Sequence, residues 1–153
     1  MKKRNCYFIV IVVLFILLVF ILMPKDRNGA VQKINNLFYQ IFAEAENDYK
    51  EISVTNSESM EDWLYEKYGN YFTSNGWDMA IKNRSISLGI NQYRQTDSEP
   101  QEIKVQVTKR KDMENWYSCQ IELVYQNEKT VNYYLTLQCV KQDNDWLIEY
   151  ITR

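Results

Sequence analysis

Few residues in this chain are of a type that does chemistry, and the first thing they exclude is catalysis through histidine. The sequence has no His, so Ser-His-Asp and Cys-His machinery cannot be assembled in their usual forms, and the commonest transition-metal ligand is missing. Cys119 and Cys139 stand singly, without the close spacing of a zinc site. The four glycines form no phosphate-cradling loop. Asp143-Asn144-Asp145 lacks the following Gly and distal Glu of an EF-hand. No catalytic residue, metal or cofactor is therefore expected. What stands out instead is aromatic: 12 Tyr and 4 Trp, with Trp63, Tyr68, Tyr71, Phe72 and Trp77 crowded together. Such side chains either fill a core or line a pocket or interface, where Tyr and Trp serve as anchors. The expected partner is a protein or a second copy of the chain, with a small molecule as the alternative.

The elements that must position these residues begin with a segment of a different kind. Residues 6–23 are apolar throughout, without charge, Gly or Pro. At about 1.5 Å per helical residue the run spans roughly 27 Å, close to a bilayer core of about 30 Å. In lipid its backbone must satisfy itself, which requires a helix. A signal peptide would have a shorter apolar core and small residues at a cleavage site; here the run ends in Leu-Met-Pro-Lys-Asp. The reading is a single-pass anchor in contact with the lipid bilayer, with residues 1–5 as a cytoplasmic tail and 24–29 as a linker. Lys2, Lys3 and Arg4 outnumber Lys25 and Arg27 across the run, placing the C-terminal domain outside the cell membrane.

Residues 24–153 suffice for one domain. They hold 15 Lys and Arg against 20 Asp and Glu, a formal charge of −5. An acidic domain is a poor general binder of nucleic acid, because neutralising phosphates supplies most of that affinity. Three cations, Lys109-Arg110-Lys111, read as a solvated hairpin tip. The two outer cysteines fall on apolar strand positions, where a free thiol behaves as a small hydrophobe. With a turn at Asn127-Glu128, Cys119 faces roughly Thr136, too far from Cys139 for a disulfide.

Val31, Ile34, Leu37, Phe38, Ile41, Phe42, Ala45 and Tyr49 recur at steps of three and four, predicting a helix of about 20 residues. Ser59 caps a predicted second helix with Met60, Trp63, Leu64 and Tyr68 buried and Gly69 as its stop. Thr73 caps a third, running to about Asn83, with Phe72 and Trp77 spaced as a hydrophobic staple. Period two then takes over. Ile86, Leu88 and Ile90 alternate, as do Ile103 to Val107, Tyr117 to Tyr125, Val131 to Cys139 and Trp146 to Tyr150, predicting antiparallel strands covered on one face. Residues 111–115, 127–128 and 142–145 suit hairpin turns, and 95–101 a polar loop. The fold class is α+β, helices covering one face of a twisted sheet.

This order resembles the nuclear transport factor 2-like superfamily, in which three helices and a curved antiparallel sheet form a cone. The resemblance covers residues 30–153 and rests on the long first helix, the Trp63-to-Gly69 helix, the Tyr71-Phe72-Thr73…Gly76-Trp77 entry to the third, and the closing Lys141-to-Ile148 hairpin. It implies a ligand site at the cone's mouth, with Trp63, Tyr68, Tyr71, Trp77 and Asp78 as its candidate residues. Enzymes of the superfamily use a carboxylate with tyrosines inside the cone, which singles out Asp78 with Tyr39, Tyr68, Tyr71 and Tyr134. Asp78 in a helix's first turns also simply suits the helix dipole. The anchored plan is similar in outline to the extracytoplasmic core component of type IV secretion and conjugation channels. Together these imply a non-catalytic binding or assembly module. Asn83-Arg84-Ser85 is a glycosylation sequon that matters only in a eukaryotic secretory route.

Overall fold

A computed structural model describes residues 29–54, 57–126 and 128–153. The expected tail, membrane-spanning run and linker lie outside the described residues, except Gly29, which opens the first helix. Among the described residues no helix is long and apolar enough to cross a membrane.

The domain is α+β. Helices α1 (Gly29–Ala43), α2 (Ala45–Val54), α3 (Ser57–Tyr68), α4 (Ser74–Lys82) and α5 (Leu88–Thr96) precede strands β1 (Glu102–Lys109), β2 (Trp116–Val124), β3 (Thr130–Gln142) and β4 (Asp145–Thr152). The strands form one antiparallel meander in the order β1-β2-β3-β4. The stripe on α1 is real: Ile34, Leu37, Phe38, Ile41 and Phe42 are all buried. They pack with Ile121, Leu123, Leu135, Leu137, Ile148 and Ile151 into a core that fills the space between helices and sheet.

Three sequence expectations change. The first helix is not one rod of about 20 residues. It bends at Glu44, where Glu44 N–H still donates to Gln40 O (3.0 Å) and Asp48 N–H to Glu44 O (2.9 Å). The bend swings Asp48 inward toward α3. The second helix starts at Ser57 rather than at a Ser59 cap, and Gly69 opens a 3-10 turn, Gly69–Tyr71, instead of ending the element outright. The alternating Ile86, Leu88 and Ile90 do not form a strand. They lead into α5, and all three are buried. A short apolar run does not distinguish a strand from a buried helix.

The register of β2 on β3 places Cys119 opposite Leu135, one residue from the expected Thr136. That shift matters, since a slip of one residue would turn a strand's apolar set to solvent. In the observed pairing Tyr117, Cys119, Ile121 and Leu123 lie opposite Leu137, Leu135, Tyr133 and Val131. Both thiols are free and buried. The β3–β4 turn has Asp143 and Asn144 at φ 48° and 68°, as a two-residue type I′ hairpin demands.

Two glycines set the layer spacing. The third helix of the sequence reading is capped and stapled as expected: Thr73 Oγ1 accepts from Gly76 N–H at 3.0 Å, and the Phe72 and Trp77 rings meet edge to face at 6.0 Å. Its start docks on a bulge in β4, where pairing steps from Gln138–Tyr150 to Cys139–Ile148 and leaves Glu149 over. Ile148 O accepts from Thr73 N–H at 3.1 Å. Glu149 carboxylate oxygens accept from Thr73 Oγ1 (2.5 Å) and Asn75 Nδ2 (3.1 Å). A Cβ on Gly76 would lie 1.9 Å from Ile148 O, and one on Gly89 1.9 Å from Ile41 O.

Helix propensity alone favours Ala over Gly by about 1 kcal/mol. Here the clash is with main chain, so overpacking wins. Gly76→Ala and Gly89→Ala are each expected to destabilise by about 2–3 kcal/mol. Urea unfolding checks this through a lowered midpoint at unchanged slope; a midpoint at or above that of the parent would refute the close approach.

Candidate functional site

The five residues singled out in the sequence do not gather around one space. Trp77 is core, edge-on to Tyr65 at 5.2 Å as well as to Phe72. Tyr71, in the 3-10 turn, donates to Gln40 Oε1 at 3.1 Å, and its ring lies 5.3 Å from Lys33 Nζ. Asp78 is on the outer face of α4 and exposed. Tyr39 and Tyr134, its expected companions, are 58 % and 65 % exposed. No carboxylate therefore meets tyrosines inside the fold at Asp78, because that side chain, Tyr39 and Tyr134 all face solvent.

Trp63 and Tyr68 belong to a different constellation, around a carboxylate that the sequence did not single out. Asp48 is 1 % exposed. One of its oxygens accepts from Lys67 Nζ and the other from Tyr68 OH at 2.5 Å. Lys67 also pairs with Glu44 at 2.5 Å and lies 5.2 Å from the Trp63 ring and 5.6 Å from that of Tyr68. A buried carboxylate with both oxygens bonded, beside a lysine held by two acids, is a locked joint between α2 and α3. Burial, and then the bond to Asp48, raises the Tyr68 phenol far above its ordinary range. For Lys67 burial pulls the ammonium down, but its bonds to Asp48 and Glu44 outweigh this and the net shift is upward.

A largely apolar space among the helices lies beyond that joint. A cleft of about 440 Å³ opens between α2, α3, α4 and α5, within the range of about 300–1,000 Å³ usual for small-molecule sites. Ile52, Met60, Leu64, Ile81, Ile86 and Ile90 supply its apolar wall. Arg84 and Arg94 are its charged lining residues, and among the described residues no carboxylate lines it. Ser87, Ile90, Asn91 and Arg94 share one face of α5, and Gly89 on another face presses that helix onto α1.

Arg84 is held in an unusual way. It follows α4 at φ 56°. Arg84 N–H donates to Ile81 O (3.0 Å) and Ser85 N–H to Ala80 O (2.8 Å), the pair of bonds of a Schellman helix end, whose left-handed position is usually Gly. A residue with a Cβ costs roughly 1–2 kcal/mol there. Of the sequence's signals, only a helical reading of residues 87–94 would have brought the cleft into view.

No family model and no curated protein matches the chain. Two solved structures are similar at a low level. One is a Bacteroides thetaiotaomicron protein of unknown function, 17 % identical over 84 % of this chain and all of that one, with a TM-score of 0.37. The other, from Campylobacter jejuni, is described as an NTF2-like transpeptidase and is 11 % identical over 82 % of this chain and 96 % of that one, with a TM-score of 0.36.

The buried groups generate two expectations. Asp48→Ala leaves Lys67 and Tyr68 without their shared acceptor and should destabilise by about 3 kcal/mol in urea. The second concerns pH. The folded protein keeps a Tyr68 proton that the unfolded chain releases above about pH 10, and Lys67 acts in the same direction from 10.5. Burial likewise pushes both thiols from 9.0 up to about 12. The contribution of these groups is therefore present from neutral pH up to about pH 9 and declines as pH rises beyond it. Thermal unfolding across pH 7–11 reads this, and Tyr68→Phe should flatten part of the decline; a stability that rose above pH 10 would contradict it.

Proposed function

We propose that this chain is a membrane-anchored, extracytoplasmic, non-catalytic binding module that holds a small molecule in the cleft between α2, α3, α4 and α5. The cleft carries the proposal: it is apolar-walled, of ligand size, and separate from a core already filled. The apolar run at 6–23 supports the anchor, and the excess of cations before it supports an outer position for the domain. The linker is short, so binding takes place close against the bilayer surface.

A nuclear transport factor 2-like cone is the fold reading that goes with this function. Support comes from helices that precede a four-stranded antiparallel meander and cover one of its faces. Under this reading the ligand does not enter between helices and sheet; it sits on the far side of the helix layer. Assembly into a secretion or conjugation apparatus is a narrower version, which draws only on the plan of tail, anchor and single domain. Its contact surface would include Trp63 on exposed α3 or the polar outer sheet face, for a protein partner or a second copy of the chain.

The experiment is recovery of the ligand. The full chain is purified from membranes with its lipid belt, and bound small molecules are extracted and identified by mass spectrometry. Ile90→Trp, which fills the cleft, should lose a species present at near-stoichiometric amount in the parent. Equal recovery from both would remove the cleft as the site. In intact cells, added protease should cut the domain and spare an N-terminal tag; protection of the domain would reverse the orientation.

A further inference from the structure

The lining of the cleft also specifies a ligand class, an inference that rests on the cleft being the binding site. We infer that it takes a free, single-chain anionic amphiphile, with the alkyl chain along the apolar wall and the acidic head group on Arg84 and Arg94. The first support is charge. Residues 24–153 carry 15 cations against 20 anions, −5 in all, yet the charged side chains lining the cleft are two guanidinium groups and, among the described residues, no carboxylate. The lining is thus opposite in sign to the domain that contains it.

The second support is that neither guanidinium is used elsewhere. Arg84 and Arg94 make no ion pair among the described residues, where Lys82, Lys109, Lys111 and Arg153 are likewise unpaired; of these cations, they are the two that line the cleft. A planar guanidinium captures a carboxylate or phosphate with two parallel hydrogen bonds. The third is backbone conformation. Arg84 occupies the left-handed position at the end of α4, φ 56°, where Gly would be relaxed. Strain kept at a cleft rim points to use of the side chain that it displays.

The ligand's source is set by the same charge balance. A domain of charge −5 is repelled by an anionic membrane surface. That repulsion favours an amphiphile free of the bilayer over an anionic lipid gripped within the leaflet.

Photo-labelling of the full chain in phosphatidylcholine nanodiscs tests this. The probes are dodecanoate and dodecanol, each with a diazirine near the chain end, and labelled peptides are mapped by mass spectrometry. Dodecanoate is expected to label peptides of residues 49–94, with labelling by dodecanol weaker by about tenfold or more. Arg84→Gln/Arg94→Gln should bring dodecanoate down to the dodecanol level. Arg84→Gly should raise the thermal midpoint while weakening dodecanoate labelling, a split that loss of folding could not produce. Equal labelling by acid and alcohol would overturn the anionic ligand and leave the cleft as a site. Failure of both probes to label the cleft would overturn the cleft reading as well. Competition by phosphatidylglycerol nanodiscs as strong as by free dodecanoate would overturn the free-amphiphile source.

Discussion

The contact on which the rest of this domain depends is the one between the start of α4 and the bulge in β4. Gly76 lies against the carbonyl of Ile148 with no room for a methyl group. Thr73, Asn75 and Glu149 tie the same point with hydrogen bonds that span more than 70 residues of sequence. This joint sets how closely the helical layer approaches the sheet. At that height the α1 stripe occupies the interior against the sheet. Open space among the helices is left on their far side, where α2, α3, α4 and α5 diverge around the cleft.

A second joint decides the shape of that far side. The bend at Glu44 sends α2 off the line of α1 and buries Asp48 beside Lys67 and Tyr68. Charged groups are tolerated there because every partner is bonded. A buried carboxylate that lost its lysine would be far costlier than an apolar pair of the same size. α3 is pinned by this end while much of its length stays exposed, which is why it forms a wall of the cleft and contributes little to the core. Core and cleft are thus separated: the sheet and α1 supply most of the core, and the outer helices line the cleft.

Legibility in the sequence tracks how local the cause is. The α1 stripe, the Thr73 cap with its Phe72–Trp77 staple, the β strands from Ile103 onward and the Asp143-Asn144 turn are all readable, because each is set by neighbours within a few residues. Segment 86–90 reads falsely as a strand, since Ile86, Leu88 and Ile90 alternate and are all buried. That one error hides the cleft. The aromatic cluster draws attention to Trp63, Tyr68, Tyr71, Trp77 and Asp78, yet large rings mostly fill cores. Asp48 and Arg84 give no warning because single charged residues carry no spacing signal.

By itself the sequence determined the apolar run at 6–23, the acidic balance of residues 24–153, the absence of histidine chemistry and the α+β order of elements. These depend on composition and short-range periodicity, which need no partner to be expressed. Tertiary structure alone decided which apolar residues close the core and which leave a cleft, which carboxylate is buried, and which two arginines line that cleft. Those outcomes depend on contacts between residues far apart in the chain, such as Gly76 with Ile148, Gly89 with Ile41 and Asp48 with Tyr68. Packing, not pattern, selects among them.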